Sequence, residues 1–208
     1  MRIIAGAYRS RILKSLKGMT LRPTSDYMRE TLFNVLGPDV EGSRFLDIFA
    51  GTGAIGIEAL SRGAAEAVFI ENHGAAVTLI RKNLESLGIR TGTTVLALDA
   101  AKALDKLQAR HKPQDAGFDF IYVDPPYAET EQYERVLYLL GAAVFLSPKA
   151  KVIAEHRRTR DLAEQFGPLR RYRVLRQGDA ALSFYTAAQR RDFARGNEGT
   201  MPALESGR

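Results

Sequence analysis

The chain has 208 residues, 45% of them hydrophobic, with 30 Lys and Arg against 24 Asp and Glu, three His and no Cys. That length fits one large domain or a domain with a small appendage, and no apolar run approaches the roughly 18 residues that a bilayer span requires. The absence of cysteine excludes disulfides, thiolate metal sites and cysteine nucleophiles. His73, His111 and His156 show no ligand spacing, so no metal is expected. Residues 1–6 are too short and too polar-flanked for a secretory leader, which leads us to expect a cytoplasmic protein.

In chain order, Arg2-Ile3-Ile4-Ala5-Gly6-Ala7-Tyr8-Arg9-Ser10-Arg11-Ile12-Leu13 suggests a small hairpin. Arg22-Pro23-Thr24-Ser25 then leads into a helix with Ser25 as its N-cap, and Met28, Thr31, Leu32, Val35 and Leu36 recur at helical spacing. Residues 1–40 therefore read as a hairpin-helix extension. It is basic: Arg2, Arg9, Arg11, Lys14, Lys17, Arg22 and Arg29 face only Asp26 and Glu30 within residues 1–30. Tyr8 beside Arg9 and Arg11 mixes a stacking surface with phosphate-seeking charge, as single-stranded or flipped nucleotides require. Arg9, Arg11, Arg22 and Arg29 are the candidate contacts to nucleic-acid phosphates.

From Arg44 the chain alternates apolar runs with helical patterns, the signature of a doubly wound parallel sheet. Strands are expected near 44–49, 67–71, 93–98, 118–123 and 150–155, and helices near 54–62, 74–87, 100–109, 131–141 and 159–166. Phe45-Leu46-Asp47-Ile48-Phe49-Ala50 runs into Gly51-Thr52-Gly53-Ala54-Ile55-Gly56, a strand, glycine turn and helix that lets backbone N–H groups approach a ligand. Glu71 ends the next apolar run, at the spacing where a carboxylate binds ribose hydroxyls. A nicotinamide dinucleotide and S-adenosylmethionine both fit so far. Asp47, four residues before Gly51, favours the second, because it attracts a cationic amino group and a sulfonium and repels a pyrophosphate. Asp99, after the run Thr93–Leu98, could accept from an adenine amino group.

Asp124-Pro125-Pro126-Tyr127 follows the strand-like Phe118–Val123. Two prolines remove two N–H donors, which leaves acceptors: the Asp124 carboxylate and the Pro125 carbonyl can take the hydrogens of an exocyclic NH2, and Tyr127 offers a stacking face. Asp47, Glu71, Asp99 and Asp124 would then stand at the carboxyl ends of four strands, where open α/β sheets bind ligands. Near the end, residues 172–176 and 180–186 flank Gly178-Asp179 as a hairpin, giving seven strands with the last antiparallel. We thus read residues 41–188 as a Rossmann-like methyltransferase domain and the polar tail 189–208 as disordered. A second basic stretch runs from Lys149 to Arg176; with a formal charge of +6 and a pI near 9.6 it fits a polyanionic partner.

Taken together, these segments resemble the S-adenosylmethionine-dependent 16S ribosomal RNA guanine-N2 methyltransferases of the bacterial small subunit. The resemblance runs from Arg2–Gly6 with Tyr8-Arg9, through Arg22-Pro23-Thr24 and Arg29-Glu30-Thr31-Leu32-Phe33-Asn34, to Asp47–Gly53 and Asp124–Tyr127. The chain departs from the family at Tyr27, where a basic residue is frequent, and at Asn72-His73-Gly74, where Asp-Arg is more usual. The resemblance implies that Asp47, Gly51, Gly53, Glu71 and Asp99 hold the cofactor, that Asp124, Pro125, Pro126 and Tyr127 hold a guanine amino group, and that the substrate is 16S ribosomal RNA in the small subunit or an assembly intermediate. A monomer is expected. The rival readings are a DNA amino-methyltransferase acting on adenine or cytosine, which would normally need a target-recognition insertion, and a non-catalytic RNA-binding assembly factor.

Overall fold

Alternation of apolar runs and amphipathic stretches builds one eight-stranded sheet with helices on both faces. The computed structural model describes residues 1–15, 26–126, 129 and 131–187. Arg22, Ser25, Tyr127 and the tail 189–208 lie outside the described residues.

Five parallel strands, β1 (Arg44–Ile48), β2 (Glu66–Ile70), β3 (Thr93–Leu96), β4 (Phe118–Val123) and β5 (Leu146–Arg157), continue into the antiparallel β8 (Ala180–Ala187), β7 (Leu169–Gln177) and β6 (Gln165–Phe166). Their order is β3-β2-β1-β4-β5-β8-β7-β6. The chain therefore winds outward in opposite directions from β1 and β4, and the crevice at that reversal is where such sheets take ligands.

The helices are α1 (Asp26–Leu36), α2 (Ala54–Ser61), α3 (Gly74–Ser86), α4 (Ala100–Arg110) and α5 (Glu131–Ala142). Met28, Leu32, Phe33 and Leu36 bury one face of α1 in the same cluster as α2, α3 and the sheet residues Phe45, Phe69, Phe120 and Tyr122. α4 and α5 cover the other face, over Leu46, Ile48, Ile121 and Val123. Each fully buried Phe or Leu contributes about 1.5–3 kcal/mol by leaving water. Ile3 and Leu13 of the N-terminal hairpin belong to the first cluster, so the hairpin shares its core with the sheet.

Two expectations are corrected. The sheet has eight strands rather than seven, and residues 159–166 form no helix. After the turn at Arg157–Arg160 the chain runs extended beside β7, where Arg171 donates to the Leu162 carbonyl and the Asp161 carboxylate at 2.7 and 2.8 Å. It ends as the edge strand β6. Leu162 and Phe166 are buried by this packing.

Candidate active site

The site is built where β1, β2 and β4 end. Asp47 is 1% exposed, because its side chain points to the face covered by α2, and its Oδ2 accepts from the Gly56 N–H at 3.0 Å. Burial pushes its pKa up to about 7, with Glu71 adding repulsion against the single backbone hydrogen bond. Such a carboxylate favours a nearby cation.

Beyond Ile48 the backbone turns sharply. Gly51 and Gly53 adopt φ of +54° and +77°, and Gly53 caps α2 in the left-handed region. Phe49, which sequence reading passed over as an ordinary strand residue, also has a positive φ, +63°. For an aromatic residue this costs on the order of 1–3 kcal/mol, and such strain concentrates at ligand-binding turns. Gly56 serves packing: a Cβ there would lie 2.4 Å from the Phe69 ring, so only glycine lets α2 approach β2 this closely.

Glu71 closes the turn from the neighbouring strand. One carboxylate oxygen accepts from the Gly51 N–H and the other from the His73 N–H, both at 2.8 Å. The structure thus brings Asp47, Gly51, Gly53 and Glu71 together around one backbone turn. Asp99 stands beyond β3 as the N-cap of α4, accepting from the Ala101 and Lys102 N–H groups at 3.0 and 3.4 Å.

Asp124 leaves β4 beside this turn, its N–H directed to the Ile48 carbonyl at 3.4 Å. Pro125 is buried and Pro126 exposed, its carbonyl accepting from the Glu129 N–H at 2.8 Å. Desolvation, then repulsion from Glu155 and Asp47, raises the Asp124 pKa well above the ordinary aspartate value. Glu155 was not among the sequence candidates. It is 4% exposed on β5, and the Tyr122 hydroxyl donates to its Oε2 while the Tyr133 hydroxyl donates to its carbonyl at 2.8 Å. The signal was present: the run Val152-Ile153-Ala154 ends in Glu155 as other strand runs end in Glu71 and Asp124.

The basic leader is fastened to α2 and α3. The buried Glu58 of α2 accepts from the Ile4 and Ala5 N–H groups at 2.8 and 3.0 Å, and the Ser61 hydroxyl accepts from the Tyr8 N–H at 3.0 Å. Gly6 packs so closely that a Cβ would sit 1.7 Å from the Ser61 carbonyl oxygen. Fully buried Asn83 of α3 joins the two regions: its amide accepts from the Lys14 N–H and donates to the Thr52 carbonyl in the glycine turn, at 2.9 and 3.1 Å. Arg9 and Arg11 are exposed, Arg11 donating to the Ser86 carbonyl at 3.1 Å.

Arg29 is a correction. It is 1% exposed and donates to the Arg2 carbonyl and to Asp26 at 2.6 and 2.9 Å, which makes it an internal clamp between hairpin and helix rather than a surface phosphate contact.

Comparison with known proteins agrees with this geometry. The family described as Conserved hypothetical protein 95 matches residues 1–186. A Bacillus subtilis protein named as a candidate rRNA methyltransferase, YlbH, is 37% identical over 81% of this chain and 89% of its own length. The Haemophilus influenzae ribosomal RNA small subunit methyltransferase D is 36% identical over 78% of this chain and 81% of its own. A solved Escherichia coli structure described as a candidate methyltransferase superposes with a TM-score of 0.76 at 33% identity, covering 90% of this chain and 97% of that one.

Proposed function

Because the chain belongs to the Conserved hypothetical protein 95 family of ribosomal RNA methyltransferases, we propose that it methylates the exocyclic N2 amino group of a guanine in 16S ribosomal RNA. The observation that carries the reading is Asp124 beside the glycine turn, a carboxylate on a donor-poor Pro-Pro backbone adjoining a cation-seeking pocket.

S-adenosylmethionine supplies a methyl group on a positively charged sulfur. The residues fit it: Asp47 and Glu71 bring negative charge to a turn whose glycines leave room for close backbone approach. Asp47 would face the methionine amino group, Glu71 the ribose and Asp99 the adenine. Glu71 and Asp99 already accept backbone N–H groups, and a carboxylate has lone pairs left for a ligand.

A guanine amino lone pair is delocalised into the ring, so the chain must reorient it. Asp124 and the Pro125 carbonyl would hold its two hydrogens and aim the lone pair at the methyl carbon, while Tyr127 would stack on the base. Fixing two reactants in this way can supply about 7–11 kcal/mol of the barrier reduction. Arg9 and Arg11 on the tethered leader would hold RNA phosphates, with Arg22 as a further contact. Arg157, Arg158 and Arg176 lie at the same sheet edge as the site, since Arg157 pairs with Ala180 and Ala180 with Gln177. We place the enzyme in the cytoplasm, acting as a monomer on the small subunit or an assembly intermediate.

The test supplies labelled S-adenosylmethionine with assembled small subunits, protein-bound assembly intermediates, naked ribosomal RNA and DNA, and then identifies the labelled nucleoside. N2-methylguanosine from 16S RNA is expected. Label in DNA adenine or cytosine would establish the rival amino-methyltransferase, and failure to label any of the four substrates would support the assembly factor.

A further inference from the structure

The five parallel strands bring acidic side chains onto one face of the sheet at its carboxyl edge. Asp47 is in register with Tyr122 across β1 and β4, and Val123 with Ala154 across β4 and β5, so Asp124 and Glu155 are successive neighbours on adjacent strands. Such strands lie about 4.8 Å apart. Two carboxylates so placed, Glu155 buried and Asp124 half-buried, cannot both ionise cheaply. Glu155 is fixed by the Tyr122 hydroxyl, which stabilises its charged form. The repulsion therefore falls on Asp124, the member that faces the Pro-Pro loop, and makes its carboxylate the stronger base.

Resting on Asp124 as the residue that grips the amino group, we propose that Glu155, held by the Tyr122 hydroxyl, is a positioning residue that makes Asp124 the acceptor of the proton released on methylation. As the nitrogen's lone pair forms the N–C bond, the S–C bond breaks and its electron pair stays on sulfur, leaving a neutral thioether. One N–H proton of the methylated nitrogen passes to the Asp124 carboxylate, giving a neutral methylamino group and a carboxylic acid. That acid later releases its proton to water.

The surrounding charges agree with this division. Asp47 on β1 adds negative charge toward Asp124, with Glu71 behind it. Tyr133 on α5 spends its hydroxyl on the Glu155 carbonyl and has Arg160 over its ring at 5.2 Å. Arg29 on α1 faces Tyr122 and Glu58, and His156 bonds Ser183 and the Arg157 carbonyl.

The experiment compares wild type with Glu155→Gln and Tyr122→Phe. The first removes the like charge; the second removes the donor, so that Glu155 is protonated more readily and repels Asp124 less. In both variants 13C NMR titration of the Asp124 carboxyl in the free protein is expected to shift to lower pH by about one unit or more. The acid limb of the kcat/KM profile should move with it, and the rate above that limb should fall severalfold as Asp124 becomes a weaker base. Tyr122→Phe preserves the packing of the ring and keeps the test informative if Glu155→Gln fails to fold. Titration and acid limb unchanged in the folded variants would overturn the proposal. Asp124→Asn separates the two layers: near-normal turnover there would remove Asp124 itself, whereas an inactive Asp124→Asn with unshifted Glu155→Gln and Tyr122→Phe would remove only the role of Glu155.

Discussion

The two halves of the site solve opposite problems. On the proposed cofactor side, between β1 and β2, carboxylates are matched to backbone donors: Asp47 takes the Gly56 N–H, and Glu71 takes those of Gly51 and His73. On the proposed substrate side, between β4 and β5, prolines delete donors and a buried glutamate crowds the aspartate. One half is preorganised by hydrogen bonds. The other holds unspent acceptor capacity, which the proposed function assigns to an amino group. The difference teaches that one crevice can set a rigid, donor-matched backbone turn beside a donor-poor loop, which under the proposed function would take a cation and an amino group respectively.

The largest break in that comparison is expected from pH. Asp47 titrates near 7 in the fold, well above an ordinary unfolded aspartate, so the native state binds more protons across the interval from about 4 to 7. Stability must then fall as pH rises through that window, by up to a few kcal/mol from this group. Denaturant titrations at pH 5 and 7.5 should show the fall, and Asp47→Asn should flatten it. A smaller loss, about 1–3 kcal/mol, is expected from Gly56→Ala, whose new methyl would collide with Phe69. Calorimetry checks it, and an unchanged Tm would mean that α2 can move off β2 without penalty. Glu71→Gln should weaken S-adenosylmethionine binding about tenfold by isothermal titration, through the loss of charge-assisted contacts. Turnover at saturation should change less, which would confine Glu71 to the cofactor half. The subtlest change is assigned to the leader: charge reversal at Arg9 and Arg11 should lower the salt dependence of RNA binding, the log–log slope dropping by about 1 per lost phosphate contact. S-adenosylmethionine affinity should stay constant in that variant.

Legibility in the sequence followed the physics of each element. The parallel strands and α1 through α5 could be read because buried runs and 3.6-residue spacing are local signals. Asp47, the glycines and Glu71 were readable as a group because chain order places them at one sheet edge. The strand β6 was not, since two residues at an edge are fixed by Arg171 and the β7 backbone rather than by their own pattern. Arg29 misled for a related reason. A basic residue in a basic segment reads as surface, and only the close packing of the hairpin on α1 reveals that it faces inward. Glu155 followed the same strand-end rule as Asp124, but its proposed role depends on Tyr122 and on strand order, neither of which a linear reading pairs with it. The tether from Lys14 through Asn83 to Thr52 joins residues far apart in sequence and carries no local signal at all.

The most direct test of the account is a paired measurement on Asp124→Ala: single-turnover methyl transfer to 16S RNA and equilibrium binding of S-adenosylmethionine. The two halves of the site predict separate outcomes. Transfer should fall by about three orders of magnitude or more, as expected when proton acceptance and positioning are lost together, while cofactor affinity stays within a few-fold of wild type. Transfer within tenfold of wild type would contradict the assignment of Asp124 to the amino group.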